Sequence, residues 1–204
     1  FSPLTTARKL STERLFADLR RSPDALHQAL SVITDVTIRF ALDAIDAGAH
    51  GVFFATQLAS YRLLAVDEYE RFGKAYDLRV LAALACKARL SMLHAHGDDI
   101  MFDLLADYPV EMINWHDRLT GPTLRDAASR FPGLLVGGLN EHGALAKGDL
   151  HAIEAEVRDA IAQTGGRRLM IGPGCVVPVA ATDAAIGAAL RATRESARQP
   201  LRTS

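Results

Sequence analysis

Apolar residues fall along the chain in short unbroken runs, separated by longer stretches in which every third or fourth position is apolar. The runs at 51–56 (GVFFAT), 90–94 (LSMLH), 110–115 (VEMINW), 134–139 (LLVGGL) and 169–172 (LMIG) have strand length and bounded ends. Continuous apolarity, rather than alternation, predicts strands covered on both faces. The stretches 24–47, 66–88, 99–107, 122–131, 149–164 and 182–197 carry the helical spacing. Ser22, Pro23 and Gly48 bracket the first helix as N-cap, first helical residue and stop. Thr182 caps the last, with Asp183 in its first turn. A helix followed by five strand–helix units implies a parallel sheet, either open and doubly wound or closed as a (β/α)8 barrel. The opening residues FSPLTTARKL fit neither period and predict a loop leaving a strand that is missing or incomplete. With no initiating Met, the chain reads as entered partway through a protein.

Each predicted strand ends in polar or glycine residues: Thr56 and Gln57, His94 to Gly97, Asn114 to Asp117, Gly137 to Glu141, and Gly172 to Cys175. Carboxyl ends of parallel strands are where α/β folds bind ligands. His94, His96, the sole Trp and one of two cysteines therefore fall on one rim.

Composition narrows the class without choosing a chemistry. Of 204 residues, 49% are hydrophobic and 23% charged, enough for one domain with a sizeable core. A net charge of −1 gives no bulk attraction to nucleic acid or an anionic membrane. No apolar run approaches a membrane span, and no secretory signal is visible at the start. Two cysteines make a disulfide framework an unneeded assumption and a reducing cytoplasm the expectation.

The chemistry concentrates in three stretches. In a strand, residues two apart point the same way, so His94 and His96 can chelate one ion. Cys175 lies in the glycine-rich turn GPGCVVP, where the backbone can bring a thiolate close to a ligand. Two nitrogens and a sulfur suit Zn²⁺ and keep a fourth position open. The competing reading is a satisfied core histidine, a loop histidine and a small buried thiol. His116 and Asp117 in INWHDR offer an acid–base pair, or N-cap chemistry before the helix at Pro122. Glu141 and His142 follow Gly137 and Gly138, with no dinucleotide fingerprint. Cys86 sits on an apolar helix face and reads as core; His27, His50 and His151 read as surface or helix residues.

Taken in order, these stretches resemble the uroporphyrinogen decarboxylase superfamily, a (β/α)8-barrel group. FSPLTTARKL is similar to its Gly-x-Pro-x-Thr segment, and SPDALHQALSVITDVTIRFALDAIDAGAHGVFF to its long helix and Ala-Gly-Ala strand. LHAHGDD, INWHDR, LLVGGLNEHGAL and LMIGPGCVVP are similar to its later strand ends. Family members are longer at the amino end, so the resemblance makes residues 1–204 the carboxyl-terminal two thirds of one barrel domain. A histidine near Cys175, a tyrosine near Lys9 and a serine near Thr56 and Gln57, which the decarboxylases carry, are replaced here. The methyltransferases carry His-x-Cys at the position of His94–His96 and Gly-Cys at that of Gly174–Cys175.

This resemblance implies a zinc-dependent methyltransferase, moving a methyl group between a corrinoid or other donor and a thiol. His94, His96 and Cys175 would hold the metal; His116, Asp117 and Glu141 would be the catalytic group; Thr56, Gln57 and Asn114 would contact the cofactor. The partners implied are a small thiol or tetrapyrrole, a corrinoid protein, and further copies of this chain through uncovered apolar faces. A metal-free decarboxylase-like lyase on a tetrapyrrole carboxylate, or a non-catalytic corrinoid- or tetrapyrrole-binding relative, stands as the alternative.

Overall fold

The computed structural model describes residues 1–198, which divide into two compact units, 1–111 and Met112 onward. The first unit opens with helix α1 (Pro3–Ser11), not the predicted loop. Ser2 caps it, its hydroxyl accepting from the Thr5 amide, and Pro3 occupies the first helical position, where a missing N–H costs nothing. In the sequence this helix is marked only by a cap residue and a proline, both of which are also turn signals. Helix α2 (Arg14–Arg21) precedes the long helix α3 (Pro23–Asp46). Ser22 stands at the start of α3, yet its side chain makes no cap hydrogen bond.

Strand β1 (Phe53–Thr56) runs parallel to β2 (Met92–Ala95), with Thr56 opposite Ala95. Between them the single predicted helix 66–88 divides into α4 (Val66–Tyr69), a π-helical turn (Glu70–Lys74) and α5 (Ala75–Leu84). Cys86, expected in the core, is exposed: it lies past the end of α5, where the chain has left the apolar layer. The unit closes with α6 (Phe102–Ala106). The amide of Ser2 donates to the Ala55 carbonyl at 2.8 Å, so the opening helix is tied to β1.

The second unit holds β3 (Met112–Trp115), α7 (Leu124–Arg130), β4 (Leu134–Leu139), α8 (Ala144–Lys147), α9 (Leu150–Thr164), β5 (Leu169–Pro173) and α10 (Asp183–Arg198). β4 pairs in parallel with β3 on one side and β5 on the other. The expected Thr182 cap is present, its hydroxyl accepting from the Ala185 amide. α10 presents Ala185, Ala188, Ala189 and Ala192, at helical spacing, to Ile153 and Val157 of α9. Small side chains let the two helices approach closely. No described helix is long and apolar enough to cross a membrane.

Candidate metal centre

In the first unit, His94 lies within β2 and is buried; His96 follows the strand and is half-buried. Their rings lie on the same side, as the two-residue period requires, with centroids 5.7 Å apart. Phe53 of β1 stacks on His94 at 5.3 Å, which limits the ring's rotation. The His96 amide donates to the Thr56 carbonyl at 2.9 Å, continuing the parallel pairing one residue beyond β2. The two histidines thus sit on a stiff strand end before the flexible Gly97.

In the second unit, His116 and Glu141 meet across a 25-residue separation: Nδ1 of His116 lies 2.5 Å from Oε1 of Glu141. With a carboxylate as acceptor, the imidazole carries its proton on Nδ1 and its lone pair on Nε2. That is the arrangement by which a carboxylate orients a metal-binding histidine. The other oxygen of Glu141, Oε2, is buried and has no hydrogen-bond partner among the described residues. Beside it passes the turn carrying Cys175. A Cβ on Gly174 would stand 2.8 Å from the His116 Cα and 3.0 Å from Glu141 Oε2, so only glycine lets that turn lie so close. Cys175 itself is half-buried.

The remaining candidates have other tasks. Asp117 accepts from the Gly138 amide with both oxygens, at 3.0 and 3.2 Å, and burial lifts its carboxyl to about 6. Arg118 donates to the carbonyls of Gly138 and Glu156 and pairs with Asp159, tying the end of β3 to β4 and α9. The Asn114 side-chain amide donates to the carbonyls of Val136 and Pro173, at 2.8 and 3.0 Å. Thr56 points its hydroxyl toward Tyr69, and the Gln57 amide donates to Thr5 Oγ1. His142 is exposed, and His50 and His151 are surface residues as expected. His27 is half-buried, stacked on Phe72 and hydrogen-bonded to Tyr76. The Glu141–His116 pairing joins residues that no local sequence pattern links.

His94 and His96 in the first unit, and His116 and Cys175 in the second, offer three imidazoles and a thiol, donors of metal-binding type. Nitrogen and sulfur donors in this ratio suit zinc. The orphaned, buried Glu141 oxygen also fits a site whose charge is completed by a cation.

The uroporphyrinogen decarboxylase (URO-D) family profile matches residues 1–196. The chain belongs to the uroporphyrinogen decarboxylase family. Its fold is accordingly that family's (β/α)8 barrel, of which this chain is a part, with five strands from the barrel wall. A methyltransferase from Methanosarcina mazei has a similar structure, with a TM-score of 0.83 and 23% sequence identity. The match covers 96% of this chain and 57% of that one, so the family member described here spans little more than half the length of that protein. None of the curated proteins matches the chain in sequence.

Proposed function

We propose that this uroporphyrinogen decarboxylase family chain carries the metal centre of a methyltransferase, with His94, His96, His116 and Cys175 as ligands to zinc. The supporting observation is the arrangement around His116: a buried carboxylate behind one ring nitrogen and a thiol-bearing turn packed against its backbone. Bound there, zinc would keep a thiol substrate as thiolate at neutral pH. The sulfur would then attack the methyl carbon of a corrinoid, carried by a partner protein, or of another methyl donor. The S–C bond would form as the donor–carbon bond broke, the donor keeping that electron pair, and the thiol proton would leave to solvent. Family membership supports an enzyme; the choice of methyl transfer rests on the donor set.

The chain's own residues prepare that chemistry. Glu141 fixes the tautomer of His116 and supplies negative charge beside the metal donors. Phe53 holds His94, and the Thr56 carbonyl holds the backbone of His96. His116, which the sequence suggests as an acid–base group, becomes in this reading a fourth donor, the one that a substrate thiol would displace to reach the zinc. Asp117 serves the fold. A cytoplasmic setting suits a chemistry that depends on a reduced Cys175.

Metal analysis of the whole protein, purified without a polyhistidine tag, tests the reading. Zinc near one equivalent, lost in Cys175→Ala and in His94→Ala while both variants still melt cooperatively, is the expected result. Absence of zinc together with tight binding of a tetrapyrrole carboxylate would favour the decarboxylase-like alternative. Bound tetrapyrrole or corrinoid without turnover would favour a non-catalytic relative.

A further inference from the structure

Four oxygen-bearing side chains form a closed polar cluster inside the first unit, where apolar packing would be the default. Thr56, Tyr69, Asp77 and Tyr108 are all buried. The Tyr69 and Tyr108 hydroxyls both donate to Oδ2 of Asp77, at 3.0 and 2.9 Å. With both phenol protons directed at Asp77, the Thr56 hydroxyl is the donor to the Tyr69 oxygen, 3.3 Å away. Oδ1 of Asp77 is buried with no hydrogen-bond partner among the described residues, an arrangement that costs folding free energy.

The backbone is shaped to place Tyr69 there. Tyr69 ends α4, and the π-helical turn begins at the next residue. Such turns widen the helix by one residue and commonly accompany functional sites. The Tyr69 ring lies against Gly73, where a Cβ would come within 2.5 Å of Cε2; no larger residue leaves the ring its slot.

The cluster leads to one place. Thr56 is the last residue of β1, and its carbonyl is the acceptor for the His96 amide at 2.9 Å. One residue therefore joins the buried cluster, through its side chain, to a proposed metal ligand, through its main chain. We propose that Tyr69 and Asp77 are positioning residues for the metal centre, holding Thr56 and thereby the backbone of His96. This inference rests on the metal-centre reading above.

Cobalt(II) provides a direct probe, because its visible absorption reports ligand number and geometry. In the whole protein, Tyr69→Phe removes one oxygen and keeps the ring on Gly73. The expected result is a Co²⁺ dissociation constant raised on the order of 10-fold, the scale of residues that orient metal ligands, with a changed visible spectrum. Tyr108→Phe also removes a donor to Asp77 and a 3.0 Å neighbour of the Tyr69 hydroxyl, but keeps the Thr56–Tyr69 hydrogen bond. It should lower the melting temperature and leave the spectrum closer to the wild type than Tyr69→Phe does. Thr56→Val, which keeps the shape and deletes the hydroxyl, should reproduce the Tyr69→Phe spectrum and decides the matter if Tyr69→Phe fails to fold. Unchanged Co²⁺ affinity and spectrum in Tyr69→Phe, or in Thr56→Val in its place, overturn the positioning role. A wild-type protein that binds no Co²⁺ overturns the metal reading itself.

Discussion

Glu141 accepts a hydrogen bond from Nδ1 of His116 while its own side chain is only 1% exposed. A carboxylate is rarely so deeply buried unless positive charge or several donors compensate it. Glu141→Gln removes the charge and keeps the volume. Zinc affinity, measured by competition with a chromophoric chelator, should fall about 10- to 100-fold, the range for groups that orient metal-bound histidines. Unchanged affinity would mean that His116 takes its orientation from elsewhere.

Asp117 sits beside His116 in sequence but serves β4, accepting the Gly138 amide. Asp117→Ala leaves that amide without its acceptor, at a cost of about 1–3 kcal/mol for a buried group. Denaturant unfolding should register the loss, while zinc content stays at the wild-type level. Loss of turnover at unchanged stability would instead make Asp117 catalytic.

Burial raises the Asp77 carboxyl to about 7, against the opposing hydrogen bonds from Tyr108 and Tyr69. A raised folded-state pKa means that the native state holds the proton more tightly than the unfolded chain. The stability this provides is complete below about pH 4, the ordinary carboxylate range, and is lost as pH rises through about 7. Within that window the loss approaches about 1.4 kcal/mol per pH unit. Asp117 contributes in the same direction, so the informative quantity is the difference between wild type and Asp77→Asn. The melting temperature of the variant should depend less on pH between 5 and 8 and should exceed that of the wild type at pH 8. Parallel pH profiles would refute the assignment.

Gly174 leaves space that Cβ would fill, against His116, Glu141 and Trp115. Gly174→Ala forces the Cys175 turn outward. Overpacking of this kind costs about 1–3 kcal/mol, and zinc binding should weaken alongside the drop in melting temperature. Cys175→Ala provides the contrast: metal lost, with the melting temperature of the metal-free protein kept.

The strands were legible because parallel sheets covered on both faces write themselves as unbroken apolar runs, and β4 falls on the predicted 134–139. The other strand ends moved by at most two residues, as for β1 at Phe53–Thr56 against 51–56. The opening helix was hidden because Ser2 and Pro3 are equally at home in a turn. Nothing in VDEYERFGKAYDLRVLAAL marks a π-helical turn, since its spacing differs from an α-helix by a single residue. His94, His96 and Cys175 stood out as strand-end residues of metal-binding type. Glu141 was visible as a candidate, but its partnership with His116 was not. Tyr69 and Asp77 escaped because each lies in a helix-like segment where an isolated polar residue reads as solvent-facing, and Tyr108 because it stands in the connection after α6.

The two amide protons of Asn114 hold carbonyls on β4 and β5, and the second of these belongs to Pro173, two residues before Cys175. The thiol's location is thereby borrowed from a strand it does not follow in sequence. An engineer transplanting residues 173–178 into another barrel would move the cysteine without its anchorage. The portable unit is the turn together with Asn114.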